Sequence, residues 1–193
     1  GMDPWACGGG AAMQAGTGVS ALTGAQPHNN SVGYTSPTIN GFSVGYQTSL
    51  SARNEERQTL NVNYANGPLT ATLIDIKGSA GGAIATTATA NRALGVAYNF
   101  GFANVSVVNS TADDVAGTQT ANLTSIAATI PMGAYSILAG HTKDSKAATG
   151  KPSAKTAVGV NYSLSKRTII GADLYKVDTY DSTGFVARVR HAF

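Results

Sequence analysis

The chain has 193 residues, 42% of them hydrophobic and 12% charged, with 23 glycines and a formal charge of +3. Charged residues are half as frequent as the roughly 25% of a soluble domain, and no apolar run approaches the ~18–20 residues of a membrane-spanning helix. A charge of +3 without a basic tract gives no surface for nucleic acid.

Residues 1–29 are rich in glycine and alanine, and Asp3 is their only carboxylate. Gly1-Met2-Asp3-Pro4-Trp5 does not resemble a secretory signal, so for an exported protein either the natural start is expected upstream, or these residues are a non-native start or the edge of a longer polypeptide. Cys7 is the sole cysteine; it can form no internal disulfide and has no metal-ligand spacing around it. From Val32 onward, short alternating runs predict eleven strands. Val32–Ser36 and Phe42–Leu50 are joined through Pro37-Thr38-Ile39-Asn40-Gly41. Thr59–Tyr64 and Leu69–Lys77 flank Ala65-Asn66-Gly67-Pro68, a strong turn signal. Arg92–Asn99 and Phe102–Asn109 pivot on Gly101, and Leu123–Ile130 and Ala134–Thr142 pivot on Pro131-Met132-Gly133. Thr156–Ser163 and Thr168–Lys176 turn at Ser165-Lys166-Arg167, and Phe185–Phe193 is last.

The connections between these hairpins are longer and polar: Ser51–Gln58, Gly78–Asn91, Ser110–Asn122, Lys143–Lys155 and the shorter Val177–Gly184. Strands near the ~9–11 residues of a tilted membrane strand, joined alternately by short and long connections, are the pattern of a transmembrane antiparallel β-barrel. A soluble β-sandwich has no reason to alternate its connections so regularly.

Facing supports the same class. Leu60, Val62 and Tyr64 alternate with Thr59, Asn61 and Asn63, and Val158, Val160 and Tyr162 alternate with Gly159, Asn161 and Ser163. Leu94, Val96 and Tyr98 likewise alternate with Ala93, Gly95, Ala97 and Asn99. The apolar set belongs in lipid and the polar set against water. Tyr34, Tyr46, Tyr64, Tyr98 and Tyr162 fall on the apolar side near short turns, where phenol rings form an interfacial girdle. In the last strand Phe185, Ala187, Val189, His191 and Phe193 share one face, and Val186, Arg188, Arg190 and Ala192 the other. Leu69–Lys77 does not resolve: Thr70, Thr72, Ile74 and Ile76 compete with Leu69, Ala71 and Leu73, and a bulge is one explanation.

Eleven strands leave two open edges, and unpaired backbone in hydrocarbon costs several kcal/mol per group. Further strands are therefore expected from upstream sequence or from another chain. Three segments carry a family resemblance. Asn30-Ser31-Val32-Gly33-Tyr34-Thr35-Ser36-Pro37 with Gly41-Phe42-Ser43, then Val158–Thr168, then Arg190-His191-Ala192-Phe193 resemble the general porins of β-proteobacteria and Neisseria-like bacteria, in family order. The resemblance implies a sixteen-stranded trimeric outer-membrane barrel of which this chain supplies strands six to sixteen. Residues 1–29 would be the end of the pore-constricting loop, and residues 30–193 the barrel portion. Two departures stand out: the family usually has arginine at Gly33 and often a small residue at Arg188. The constriction loop usually carries acidic residues, which residues 1–29 lack apart from Asp3.

The function expected is passive diffusion of small hydrophilic solutes and ions through a water-filled channel, with no cofactor, no metal and no catalysis. Arg188, Arg190, Arg167, Lys166, Asn61, Asn63 and Asn161 are the candidate pore-lining residues; Phe193 joins the tyrosine girdle. The arginines and Lys166 favour mild anion selectivity, unless wall carboxylates such as Asp173 neutralise them. Asp113-Asp114, Asp144, Asp178 and Asp181 read as solvated loop charges without a calcium-loop spacing. His141 and His191 lack visible zinc partners and read as rim residues. Ser136 and His141, five positions apart, fall on opposite faces of a strand, which argues against a hydrolase. The rival reading is a plugged or scaffolding outer-membrane barrel that anchors a partner protein.

Overall fold

The computed structural model describes residues 30–50, 57–78, 88–114, 116–150, 152–179 and 183–192. Eleven strands follow in order: β1 (Ser31–Thr35), β2 (Phe42–Ser49), β3 (Arg57–Asn66), β4 (Leu69–Gly78), β5 (Ala88–Asn99), β6 (Asn104–Asp114), β7 (Gln119–Met132), β8 (Tyr135–Asp144), β9 (Ala154–Ser163), β10 (Thr168–Val177) and β11 (Thr183–His191). Each pairs antiparallel with its chain neighbours, giving one sheet in sequence order with β1 and β11 at its edges. No helix among the described residues is long and apolar enough to cross a membrane, which says nothing of a strand barrel.

Turn chemistry sets the short-turn end. Gly41, Gly67, Gly101 and Gly133 all take positive φ there, a region open to glycine and costly for most side chains. At Gly41 the space is closed as well, since an added Cβ would stand 2.6 Å from the Ala65 carbonyl oxygen. Residues 67–68 and 133–134 make two-residue turns, and the Asn99 side chain accepts from Gly101 N–H at 2.8 Å in the next.

Burial is inverted relative to a soluble protein. One face is exposed and apolar, with Leu94, Val107, Ile126, Ile137, Val158, Leu174 and Val189 among its exposed residues. The opposite face carries the buried polar residues, including Arg57, Thr59, Ser110, Thr142, Asp144, Lys155 and Asp173. A water-soluble sheet hides its apolar face; this one presents it, as a lipid-facing wall requires.

The structure resolves the ambiguous β4. Its register with β3 and β5 runs without a break from Leu69 to Lys77, so no bulge is present. Leu69, Ala71, Leu73, Asp75 and Lys77 share the outer face, while Thr70, Thr72, Ile74 and Ile76 face inward. The bulges lie instead between Ala88 and Ala90 and between Ala112 and Asp113. The expected long connection Ser110–Asn122 is also corrected: the ladder continues to Asp114 and resumes at Gln119. Polar outward residues such as Thr111 and Asn122 still pair directly, so the hairpin extends beyond its apolar stretch.

Candidate functional site

The inner wall is built by strand parity. Register places Asn61 opposite Gly45 and Ile74, and Asn63 opposite Ser43 and Thr72, whose hydroxyl donates to Asn63 Oδ1 at 3.1 Å. Across the last three strands, Asn161, Gly171 and Arg188 form one inner row, and Gly159, Asp173 and Val186 the next. Arg188 does not project freely into the lumen. Its Nε donates to Asp173 Oδ2 at 2.5 Å and its Nη2 to Asp173 Oδ1 at 3.0 Å and to Asn161 Oδ1 at 2.8 Å. The Asp173 side chain is fully buried in this pair.

Glycines make the network lie flat. A Cβ at Gly171 would stand 2.5 Å from Asn161 Oδ1 and 3.0 Å from Arg188 Nη2, and one at Gly159 would collide with Asp173 Oδ1. The side chains therefore fold across bare backbone on the neighbouring strand. One row toward the loop end, the Tyr175 ring packs over Gly184, and Lys155 Nζ sits 5.1 Å from the Tyr175 centroid.

Arg190 differs. It lies on the same inner parity opposite Ile169, is exposed, and has no ion pair or side-chain hydrogen bond among the described residues. Lys166 and Arg167 lie exposed in the adjacent turn. Gly33, where the resemblance expects arginine, faces Gln47, whose amide donates to Ser31 Oγ at 2.8 Å.

The inner wall is not uniformly polar, as the alternation implied. Ile74, Ile76, Ala93, Ala112, Ala121 and Leu123 form a buried apolar cluster across β4 to β7. Sequence reading missed its sharing of the inner face, because Ile74 and Ile76 read as one half of an ambiguous strand.

Several of the loop carboxylates expected to be solvated organise turns, Asp178 from an exposed position and Asp144 from a buried one. Asp144 is buried and accepts backbone N–H bonds from Asn122 and Lys146, each at 2.9 Å. Asp114 accepts from Ala116 at 2.9 Å and Thr118 at 2.8 Å. Asp178, just past β10, accepts from the Ser153 hydroxyl and from Ser153 N–H at 3.0 Å. The Ser153 hydroxyl, more than any other partner, holds this carboxyl down at about 2. No metal-binding group of three or more His, Cys, Asp or Glu occurs among the described residues. His141 and His191 are outward, each hydrogen-bonded across the ladder, to Thr156 at 2.8 Å and Thr168 at 2.9 Å. Ser136 faces inward opposite Asn161, away from His141.

Tyr34, Tyr46, Tyr64, Tyr98 and Tyr162 all take the outward parity. Tyr34 pairs directly with Tyr46. Tyr64 contacts Phe42 at a ring separation of 4.4 Å, Tyr98 contacts Phe100 at 4.7 Å, and Tyr162 contacts Tyr135 at 4.7 Å. Phe42, Phe100 and Tyr135 thus join an aromatic row that the sequence showed only in part. Phe193 and residues 1–29 lie outside the described residues.

An apolar outer face, a polar inner wall and meander order are the geometry of an outer-membrane barrel wall, and the family comparison decides which. A family model described as Gram-negative porin matches residues 2–182. The chain belongs to the Gram-negative porin family. Solved porins share its fold at low identity. An anion-selective porin from Comamonas acidovorans is 21% identical, with a TM-score of 0.68, covering 94% of this chain and 66% of that one. A loop-deletion mutant of OmpT, an outer membrane protein of Vibrio cholerae, is 18% identical with a TM-score of 0.64, covering 83% of this chain and 62% of that one. A mutant of the Rh. blastica porin is 14% identical with a TM-score of 0.65, covering 85% and 56%. The porin described here spans less than two thirds of each relative's length. No curated protein is significantly similar in sequence. Family and fold place this porin in the Gram-negative outer membrane as an integral β-strand protein.

Proposed function

We propose that this porin forms a water-filled channel for passive diffusion of small hydrophilic solutes and ions, with a mild preference for anions. The observation that carries the reading is the inverted burial: charged and hydroxyl side chains are buried on one face while large apolar residues are exposed on the other. Among the described strand residues, Arg57, Lys155, Arg188 and Arg190 take the inward parity, as do Asp144 and Asp173. A net positive wall raises local anion concentration, and the Comamonas relative is itself anion-selective. Asn61, Asn63, Asn161, Arg188 and Arg190 line the pore in this reading, with Lys166 and Arg167 at its periplasmic mouth. Tyr34, Tyr46, Tyr64, Tyr98, Tyr162 and Phe193 form the interfacial girdle in lipid. The family resemblance supports a homotrimer, with residues 1–29 ending the constriction loop. The open edges at β1 and β11 call for five further strands, from upstream sequence or from another chain.

Transport here is electrostatics and excluded volume rather than covalent chemistry. Liposomes holding the natively extracted porin should swell in isotonic sugars at rates that fall with sugar size. One observation favours a second reading: the buried apolar cluster on the inner wall suits a barrel whose lumen is occupied. Stable insertion without swelling in any sugar would select that plugged or scaffolding barrel.

A further inference from the structure

The carboxylates of the described residues are not spread evenly along the wall. Asp113, Asp114, Asp144 and Asp178 lie at the loop end of their strands, and Asp75 faces outward beside Arg92 and Lys77. The inward carboxylate nearest the turn end is Asp173, and Arg188 neutralises it. Below that pair, toward the periplasmic turn of β9 and β10, the charges are Lys166, Arg167 and Arg190.

Two of these are brought together by register. Ala192 N–H donates to the Arg167 carbonyl at 2.9 Å, so the β10–β11 ladder runs beyond Thr168 and His191 and sets Arg167 opposite Ala192. Arg190, opposite Ile169, is then the diagonal neighbour of Arg167 on the inner parity. Such diagonal positions are about 7–8 Å apart, within joint reach of long side chains. His191 and Thr168 occupy the opposite parity and bond to each other. Neither guanidinium has an ion pair or side-chain hydrogen bond among the described residues. Two guanidinium side chains at diagonal positions, with no ion-paired carboxylate among the described residues, suit one anion with several oxygens.

We propose that Arg167 and Arg190 form an anion-binding station on the inner wall at the periplasmic mouth, taking small multi-oxygen anions of the phosphate or dicarboxylate class. The inference rests on the channel reading above and names the solute its mouth selects. Free arginines here bind anions that Arg188, although nearer the middle of the wall, does not.

The test uses the natively extracted porin in planar bilayers in potassium chloride, with inorganic phosphate added to the periplasmic side. Phosphate should reduce the chloride current in a saturable way, at lower concentration from that side than from the other. R167Q and R190Q should each raise the half-blocking concentration about fivefold, the upper range for an exposed charge pair. The double variant should add little beyond either single one. R190K should keep the reversal potential but weaken phosphate block, since it retains charge and loses the fork. Open channels with no saturable phosphate block, or block unaffected by these variants, would overturn the station and leave the channel standing. Absence of any conductance would overturn the channel reading, and the station with it.

Discussion

Replacing Asp173 by asparagine removes the one carboxylate that neutralises Arg188 while keeping side-chain volume. Asn161 still accepts from Arg188 Nη2, so the guanidinium stays on the wall and the lumen gains a full positive charge. An ion passing about 5 Å away feels about 0.8 kcal/mol in water, reduced to about 0.5 kcal/mol by screening at 0.1 M salt. Anions gain and cations lose by that amount, so the anion-to-cation permeability ratio should rise about fivefold at 0.1 M. At 1 M, where the screening length is about 3 Å, the change should shrink below about twofold. R188Q should shift the ratio the opposite way and cost about 3–5 kcal/mol of stability, because it strands a buried carboxylate. The double variant D173N/R188Q should return the ratio near the parent value. Reversal potentials in asymmetric potassium chloride, taken on variants that open channels of parental size, supply the test. A D173N channel whose reversal potential at 0.1 M equals the parent's would refute the placement of this pair on the lumen wall.

Gly159→Ala should act on the same pair by steric means, since the new Cβ would occupy the place of Asp173 Oδ1. It should lower the thermal unfolding midpoint while leaving the anion preference near the parent value, because both charges of the pair stay on the wall. Facing can be tested with two lysines. Val158→Lys, on the exposed outer face, should destabilise the folded barrel by about 2–4 kcal/mol in lipid vesicles, whereas inward Asn61→Lys should cost under about 1 kcal/mol; equal costs in urea titrations would contradict the assignment. Asp178 gives a pH dependence. Its folded value of about 2 lies below the ordinary 3.8, so its bonds to Ser153 stabilise the loop end of the β9–β10 strand pair above about pH 3.8 and that contribution is lost as pH falls through about 2. The Ser153 amide resonance in detergent micelles should titrate with a midpoint near 2 and become flat in D178A.

What could be read from the sequence was what depends on local alternation. In β9 and β11 each face is chemically pure enough that parity alone assigns Asn161 and Arg188 inward and Val158 and Phe185 outward. β4 was opaque because Ile74 and Ile76 face inward, so apolar character appears on both parities; only pairing with β3 and β5 decides. The Asp173–Arg188 pair needs the β10–β11 register, which sets Asp173 opposite Val186 and Gly171 opposite Arg188; alternation yields the face of each residue but not the partner. Gly159 was legible only as one of the water-facing positions of its strand, and only the side chains lying across Gly159 and Gly171 explain their use. The hairpin around Asp114 was shortened in the reading because its polar outward residues lack the apolar stripe that marks membrane-embedded strand.

Single-channel conductance of the natively extracted porin in a planar bilayer tests the central claim most directly. The account predicts discrete openings, in steps of three for a trimer, whose current scales with bulk salt conductivity and whose reversal potential under a salt gradient has the anion-selective sign. A stably inserted barrel that passes no current would contradict it, and a cation-selective reversal potential would contradict the charge assignment of its wall.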